Sequence, residues 1–254
     1  MHYSACIPAV FAHMPIRQAL AQVHAAGLQY YEFWGWNDGE IEEYLAAQEE
    51  YRLTPAAMCT REFILTDPTC RGAFLEGLEQ TISACRRLGC PAIITQVGQE
   101  YAHLSRQAQH ESIVAGLKAA APLLESAGIT LVFEPLNTLV DHKGYYLWSS
   151  REAFTIADEV GSSRVKVLLD LYHQAVMEDL NLPEVLANLD KIGHFHMAGV
   201  PGRHEPLTDC VVDYAVILRA IRQAGYQGAV GLEYFPRQDA AQGLKSLYAR
   251  LREF

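Results

Sequence analysis

Four apolar runs in this chain each end on, or carry, a group that can hold a cation. ITLVFE closes on Glu134, VKVLLD closes on Asp170, HFHMA carries His196 and AVGLE closes on Glu233. An ionised carboxylate beside apolar residues costs several kcal/mol unless a cation or hydrogen-bond donors compensate it. Any one of the four, taken alone, reads equally well as a polar residue paired with Arg or Lys. Three carboxylates and one imidazole on successive runs point instead to a divalent metal. Ligation rich in oxygen, with one histidine and no thiolate, suits Mn²⁺, Mg²⁺ or Co²⁺ better than structural zinc. The expectation is one ion per chain, held by Glu134, Asp170, His196 and Glu233.

Short spacings add candidates for the substrate side. In Asp170-Leu-Tyr-His173 a histidine follows a candidate ligand by one helical turn, and in AGVPGRHEP Arg203 follows a glycine on a segment that can swing over a site. An arginine fork there could hold a carboxylate or a hydroxyl pair bidentately. His204 and Lys143 read as solvent-facing. Phe11, Trp34, Trp36, Phe63, Tyr145, Tyr146 and Trp148 are available to wall a pocket, although each also reads as ordinary packing, and Trp148 as a staple for a helix starting at Ser149. Glu32 lies in the middle of the run YYEFW, where it would face an interior, with no evident role.

The elements that must position these groups show a repeat. Amphipathic stretches closing on glycine are followed directly by apolar, β-branched runs, with the glycines at 27, 89, 128, 161, 193 and 225. Their spacings are 62, 39, 33, 32 and 32, so the first gap holds two units and 254 residues hold eight of them. Glycine there suits the left-handed residue that ends a helix. The helical halves carry a 3.6-residue apolar period, as in Ile113, Leu117, Ala120 and Leu124. Strands buried on both faces read as short apolar runs, and ACI, YYEFW, LTPAAMC, PAIIT, ITLVF, VKVLL, HFHMA and AVGLE make eight. Eight strand-helix units predict an α/β fold, a (β/α)8 TIM barrel, as one domain over 1–254. Residues 8–14 read PAVFAHM where a doubly wound sheet would carry a glycine-rich phosphate loop. In a barrel, residues at the carboxyl ends of the strands form the active site, and the four candidate ligands fall there.

Composition limits the partners. Thirty acidic against twenty basic residues give a net charge of −10, which opposes attraction to nucleic acid or to anionic lipid. A small polar molecule is the better partner, and a homo-oligomer is compatible with the sequence. No apolar run reaches membrane-spanning length and no basic residue precedes Arg17, so a cytoplasmic protein is expected. Six cysteines without a CxxC pair read as free, mostly buried thiols.

The stretch FEPLNT with VDHKGYY, then LLDLYH, GHFHMAGVPGRHEP and VGLEYFPR, resembles the hydroxypyruvate isomerase family of xylose-isomerase-like TIM barrels. The likeness covers 133–237 in specific motifs and the N-terminal half in general layout. It implies that Glu134, Asp170, His196 and Glu233 are the metal ligands, that Glu134 and Glu233 double as the catalytic acid-base pair, and that His173 and Arg203 contact substrate. The implied reaction is a metal-assisted isomerisation through an enediolate, of the type hydroxypyruvate to tartronate semialdehyde. His196 departs from the glutamine typical of these isomerases and matches ketose 3-epimerases of the tagatose type. Those epimerases usually carry a substrate-binding glutamate six residues past the first ligand, where this chain has Val140. An endonuclease IV-like nuclease would need extra histidines after strands three and four, which read Cys59-Thr60-Arg61-Glu62 and Thr95-Gln96-Val97. A catalytically dead sugar-binding barrel would have no need of two opposed glutamates.

Overall fold

Side chains along a β-strand alternate between its two faces. Here that alternation separates a layer packed under helices from a layer inside a barrel. A computed structural model describes residues 1–177 and 180–254. Strands β1 (His2–Cys6), β2 (Tyr30–Phe33), β3 (Thr54–Cys59), β4 (Ala92–Thr95), β5 (Thr130–Phe133), β6 (Val165–Asp170), β7 (Ile192–Met197) and β8 (Ala229–Leu232) pair in chain order. Every pairing is parallel, and β8 returns to β1 to close the barrel, with Ser4 opposite Gly231. The helices are α1 (Ile7–Val10), α2 (Ile16–Ala25), α3 (Asp38–Tyr51), α4 (Arg71–Leu88), α5 (Arg106–Ala127), α6 (Ser150–Val160), α7 (Leu171–Met177), α8 (Leu182–Ala187), α9 (Tyr214–Gln223) and α10 (Ala240–Leu251). The TIM barrel read from the repeat is thus the observed fold. Among the described residues no helix is long and apolar enough to cross a membrane.

Tyr31, Phe33, Ile93, Leu131, Phe133, Val167, Leu169, Phe195, Val230 and Leu232 point outward into the large core shared with the helices. Each such buried side chain contributes on the order of 1.5–3 kcal/mol. The intervening residues face inward, and their character changes around the barrel. On β3 to β6 the interior below Asp170 is mainly apolar, with Ala57, Cys59, Ile94, Val132 and Leu168 forming a small separate cluster. On β1, β2 and β7 it is polar, with Ser4, Glu32, His194 and His196 all buried.

Helix ends follow the local chemistry. Gly89, Gly128 and Gly161 end α4, α5 and α6 in the left-handed region with φ of 69°, 70° and 69°. Ser149 is the N-cap of α6, its side chain accepting from the Glu152 amide. Gly193 is a correction to the repeat: it sits inside β7 and ends no helix. A Cβ there would stand 2.7 Å from Val132 Cγ1, so strand packing requires the glycine.

Candidate metal and acid-base site

The carboxyl ends of β5 to β8 bring the four candidate ligands together. Asp170 ends β6 and His196 lies within β7, while Glu134 and Glu233 follow β5 and β8 directly. One ligand atom from each lies within 4.8 Å of all the others, and all four side chains are buried. His196 Nδ1 stands 3.6 Å from Glu134 Oε1 and 3.5 Å from Glu233 Oε2. Asp170 Oδ1 accepts the Tyr172 amide at 2.8 Å, which leaves Oδ2 turned inward.

Several of these atoms lack any hydrogen-bond partner: Glu134 Oε1, Asp170 Oδ2 and His196 Nδ1. Buried polar atoms are rarely left so, and each specific exception needs an explanation. Three orphaned donors of electron pairs converging on one point fit a divalent cation, so the residues present suit the metal that the sequence implied.

The electrostatics are those of crowded carboxylates. Burial pushes the Asp170 carboxyl up to about 7 against the opposing pull of Arg203. Burial also raises Glu134, with His196 opposing. Glu233 goes the other way: despite burial, His196 and Arg203 hold it well below the usual carboxylate range. Burial would depress His196, but Glu32 and Glu233 outweigh it and hold the imidazole well above its ordinary value.

Arg203 does not swing freely over the mouth. Its φ of 53° turns the chain inward, Nη2 pairs with Glu233 Oε2, and the side chain is only 11% exposed. Its guanidinium lies 5.4 Å from the Tyr172 ring and 5.6 Å from Phe235. Nε is buried without a partner. Trp34 Nε1 donates to the other Glu233 oxygen at 2.8 Å, a polar role beyond the wall expected of it. His173 is fully buried behind Asp170, with Nε2 3.4 Å from Asp170 Oδ2 and Nδ1 accepting the Asn137 amide at 3.3 Å. Burial, then Arg203, drives its pKa well down, which favours the neutral ring.

A cleft of about 710 Å³ opens onto Glu134, Arg203 and Glu233, walled by Trp34, Phe63 and Tyr145. The other aromatics serve elsewhere. Trp36 donates to the Cys59 carbonyl, Tyr146 bonds Glu152, Trp148 borders a separate surface hollow, and Phe11 is core. Lys143 is exposed, as expected. His204 is not: it is 6% exposed because the loop folds Gly199 against its ring.

Glu32 and His194, which their sequence context does not mark as site residues, lie directly behind His196. Glu32 Oε1 lies 3.0 Å from His196 Nε2, and Oε2 lies 2.9 Å from His194 Nε2. Burial raises the Glu32 pKa, but the two imidazoles outweigh it and bring it down to about 2. The available signal was the HxH spacing in HFHMA, which puts both histidines on one face of a strand.

A family model described as a xylose isomerase-like TIM barrel matches residues 20–253. The hydroxypyruvate isomerase of Escherichia coli K12 is 34% identical over 172 residues, 68% of this chain and 66% of that protein. The 2-oxo-tetronate isomerase of Cupriavidus necator is 35% identical over 128 residues, 50% of this chain and 48% of that protein. The matched segments thus span just under two thirds and about half of these relatives. Among solved structures, AP endonuclease, family 2 from Brucella melitensis superposes with a TM-score of 0.91 over 98% of this chain and 99% of that one, at 24% identity, a likeness of fold alone. A closed eight-stranded parallel barrel, matched by the family model along nearly its whole length, makes this chain a member of the xylose isomerase-like TIM barrel family.

Proposed function

We propose that the chain is a metal-dependent isomerase of small hydroxy-keto acids, interconverting hydroxypyruvate and tartronate semialdehyde or their four-carbon counterparts. The observation that carries this reading is the convergence of orphaned Glu134, Asp170 and His196 atoms beside the paired Glu233. The likeness to hydroxypyruvate and 2-oxo-tetronate isomerases supports it. Glu134, Asp170, His196 and Glu233 hold one ion, with Mn²⁺, Mg²⁺ and Co²⁺ the fitting species. When bound, the ion would supply Lewis-acid charge that polarises the substrate carbonyl and acidifies the C–H of the neighbouring hydroxyl-bearing carbon.

The rest belongs to the chain's own residues. A glutamate carboxylate, Glu233 or Glu134, removes the proton from the hydroxyl-bearing carbon. The same or the opposite glutamate returns it to the adjacent carbon, while the hydroxyl proton passes between the two oxygens. Arg203, with Nε unpaired, holds the substrate carboxylate, and His173, the other substrate-side residue the resemblance implies, acts from behind Asp170, which it steadies through Nε2. Trp34, Phe63 and Tyr145 restrict water around the enediolate.

Turnover of hydroxypyruvate in D₂O with Mn²⁺ tests the proposal. Deuterium should enter C2 of the product, and Glu134→Gln and Glu233→Gln, each checked for metal occupancy, should each lose at least ~100-fold in rate. Product without solvent deuterium, or near-normal rates in occupied variants, would replace proton transfer with a hydride shift or another reaction. A ketose 3-epimerase is the second reading, favoured by histidine at position 196, and product analysis with ketohexoses separates it. A nuclease fits poorly: among the described residues, the candidate metal clusters draw no histidine from β3 or β4, and the net charge is −10.

A further inference from the structure

Glu32 takes no part in the steps above, yet it is buried beneath the mouth and surrounded by donors. Ser4 Oγ donates to Oε2 at 3.0 Å, and His194 Nε2 lies 2.9 Å from the same oxygen. His196 Nε2 lies 3.0 Å from Oε1. An ionised carboxylate can only accept, so a histidine nitrogen facing it carries the proton. For His196 that leaves Nδ1, turned toward Glu134 and Glu233, as the nitrogen that yields its proton when an ion takes its place. The neighbouring strand makes room for this contact. A Cβ on Gly231 would collide with Glu32 Oε1 and stand 2.5 Å from His196 Cδ2. Glycine inside a strand marks such a close approach.

We propose that Glu32 is a positioning residue of the metal centre, fixing His196 in the Nε2–H tautomer so that Nδ1 is the ligand atom, while Ser4 and His194 hold Glu32 in place. This rests on the reading that Glu134, Asp170, His196 and Glu233 hold an ion. Glu32, His194 and His196 also form a compact trio of ligand types. Glu32 Oε2 shares a proton with His194 Nε2 at 2.9 Å, and Oε1 faces His196 Nε2 at 3.0 Å as a close polar contact, these two atoms having no other partner. Two ligands each about 2.1 Å from a tetrahedral ion stand roughly 3.4 Å apart, so a second ion is the poorer fit.

Isothermal titration of the metal-stripped full chain with Mn²⁺ tests the role through a double-mutant cycle. The wild type should take up one ion per chain. Glu32→Gln should weaken binding about 10- to 100-fold, the usual cost of losing a partner behind a ligand. In a His196→Gln background, where the imidazole is gone, adding Glu32→Gln should change affinity by no more than about 2-fold, the scatter of independent sites. Equal losses in both backgrounds would mean Glu32 supports the barrel generally, and undiminished binding by Glu32→Gln would remove the role. Nitrogen NMR of histidine-labelled wild type loaded with Zn²⁺ needs no variant: Nε2 of His196 should carry the proton and Nδ1 the ion. The reverse assignment overturns the proposal, as does a second Mn²⁺ lost on Glu32→Gln. A wild type that binds no Mn²⁺ overturns the metal reading itself, and this role with it.

Discussion

Glu233 receives the Trp34 indole N–H on one oxygen and the Arg203 guanidinium on the other, with His196 beside it. His196 and Arg203, against burial, keep its carboxyl ionised where Glu134 is driven the other way. Removing Arg203 takes away one positive charge, so the Glu233 pKa must rise. The acid limb of kcat/KM should therefore move to higher pH in Arg203→Ala, together with a raised KM from the lost carboxylate fork. Arg203→Lys keeps a charge and should leave the limb nearer to wild type, while KM stays high because an ammonium cannot bind bidentately. The pH-rate profiles of both variants check this. An unmoved limb in Arg203→Ala would show that the arginine serves substrate alone.

At the scale of elements, the site depends on how strand ends are tied down. Tyr145, in the loop after β5, accepts the Val97 amide at 2.8 Å and donates to the Glu134 carbonyl at 2.9 Å. Tyr145→Phe strands two buried backbone groups, so it should lower stability by about 1–3 kcal/mol and cut turnover by loosening Glu134. Denaturant unfolding and steady-state kinetics measure the two effects. How far such an arrangement can be read from sequence depends on contrast. Glu134, Asp170 and Glu233 were legible because each closes an apolar run, and the barrel because helices and strands alternate with glycine stops. Glu32 was not, since a strand buried on both faces gives no polar-apolar alternation to show which way a side chain points. Arg203 was legible as a binding group but not as the partner of Glu233, because that contact forms only when two distant loops meet over the mouth. Gly193 looked like a helix stop because a strand that needs closeness and a helix that needs a left-handed turn select the same residue.

For the whole molecule, the four candidate ligands come from consecutive strands, β5 to β8, so an ion there ties together half of the barrel. Burial lifts the folded-state pKa of Asp170 to about 7, above its unfolded value. The metal-free fold therefore holds that proton more tightly than the unfolded chain does. Its stability falls as pH climbs from the unfolded pKa, about 4, through the folded one, and the loss is complete above it. A divalent ion displaces the proton, so stabilisation by metal should grow with pH up to about 7 and then level off. Thermal melts with and without Mn²⁺ should show a larger rise in Tm at about pH 8 than at about pH 5.5. A rise independent of pH would exclude Asp170 as a ligand that must first lose its proton.

The division of the barrel interior into an apolar half on β3 to β6 and a polar half on β1, β2 and β7, with Gly231 of β8 beside it, makes the two halves unequal under randomisation. Ala57, Ile94, Val132 and Leu168 pack against one another and against Cys59, Trp34 and Ala92, and a close-packed apolar cluster accepts other apolar residues of matched total volume. Ser4, Glu32, His194 and Gly231 each answer to a specific atom of another, so changing one leaves a donor, an acceptor or a collision behind. A library aimed at new chemistry in this scaffold has its freedom on one side of the barrel and almost none on the other.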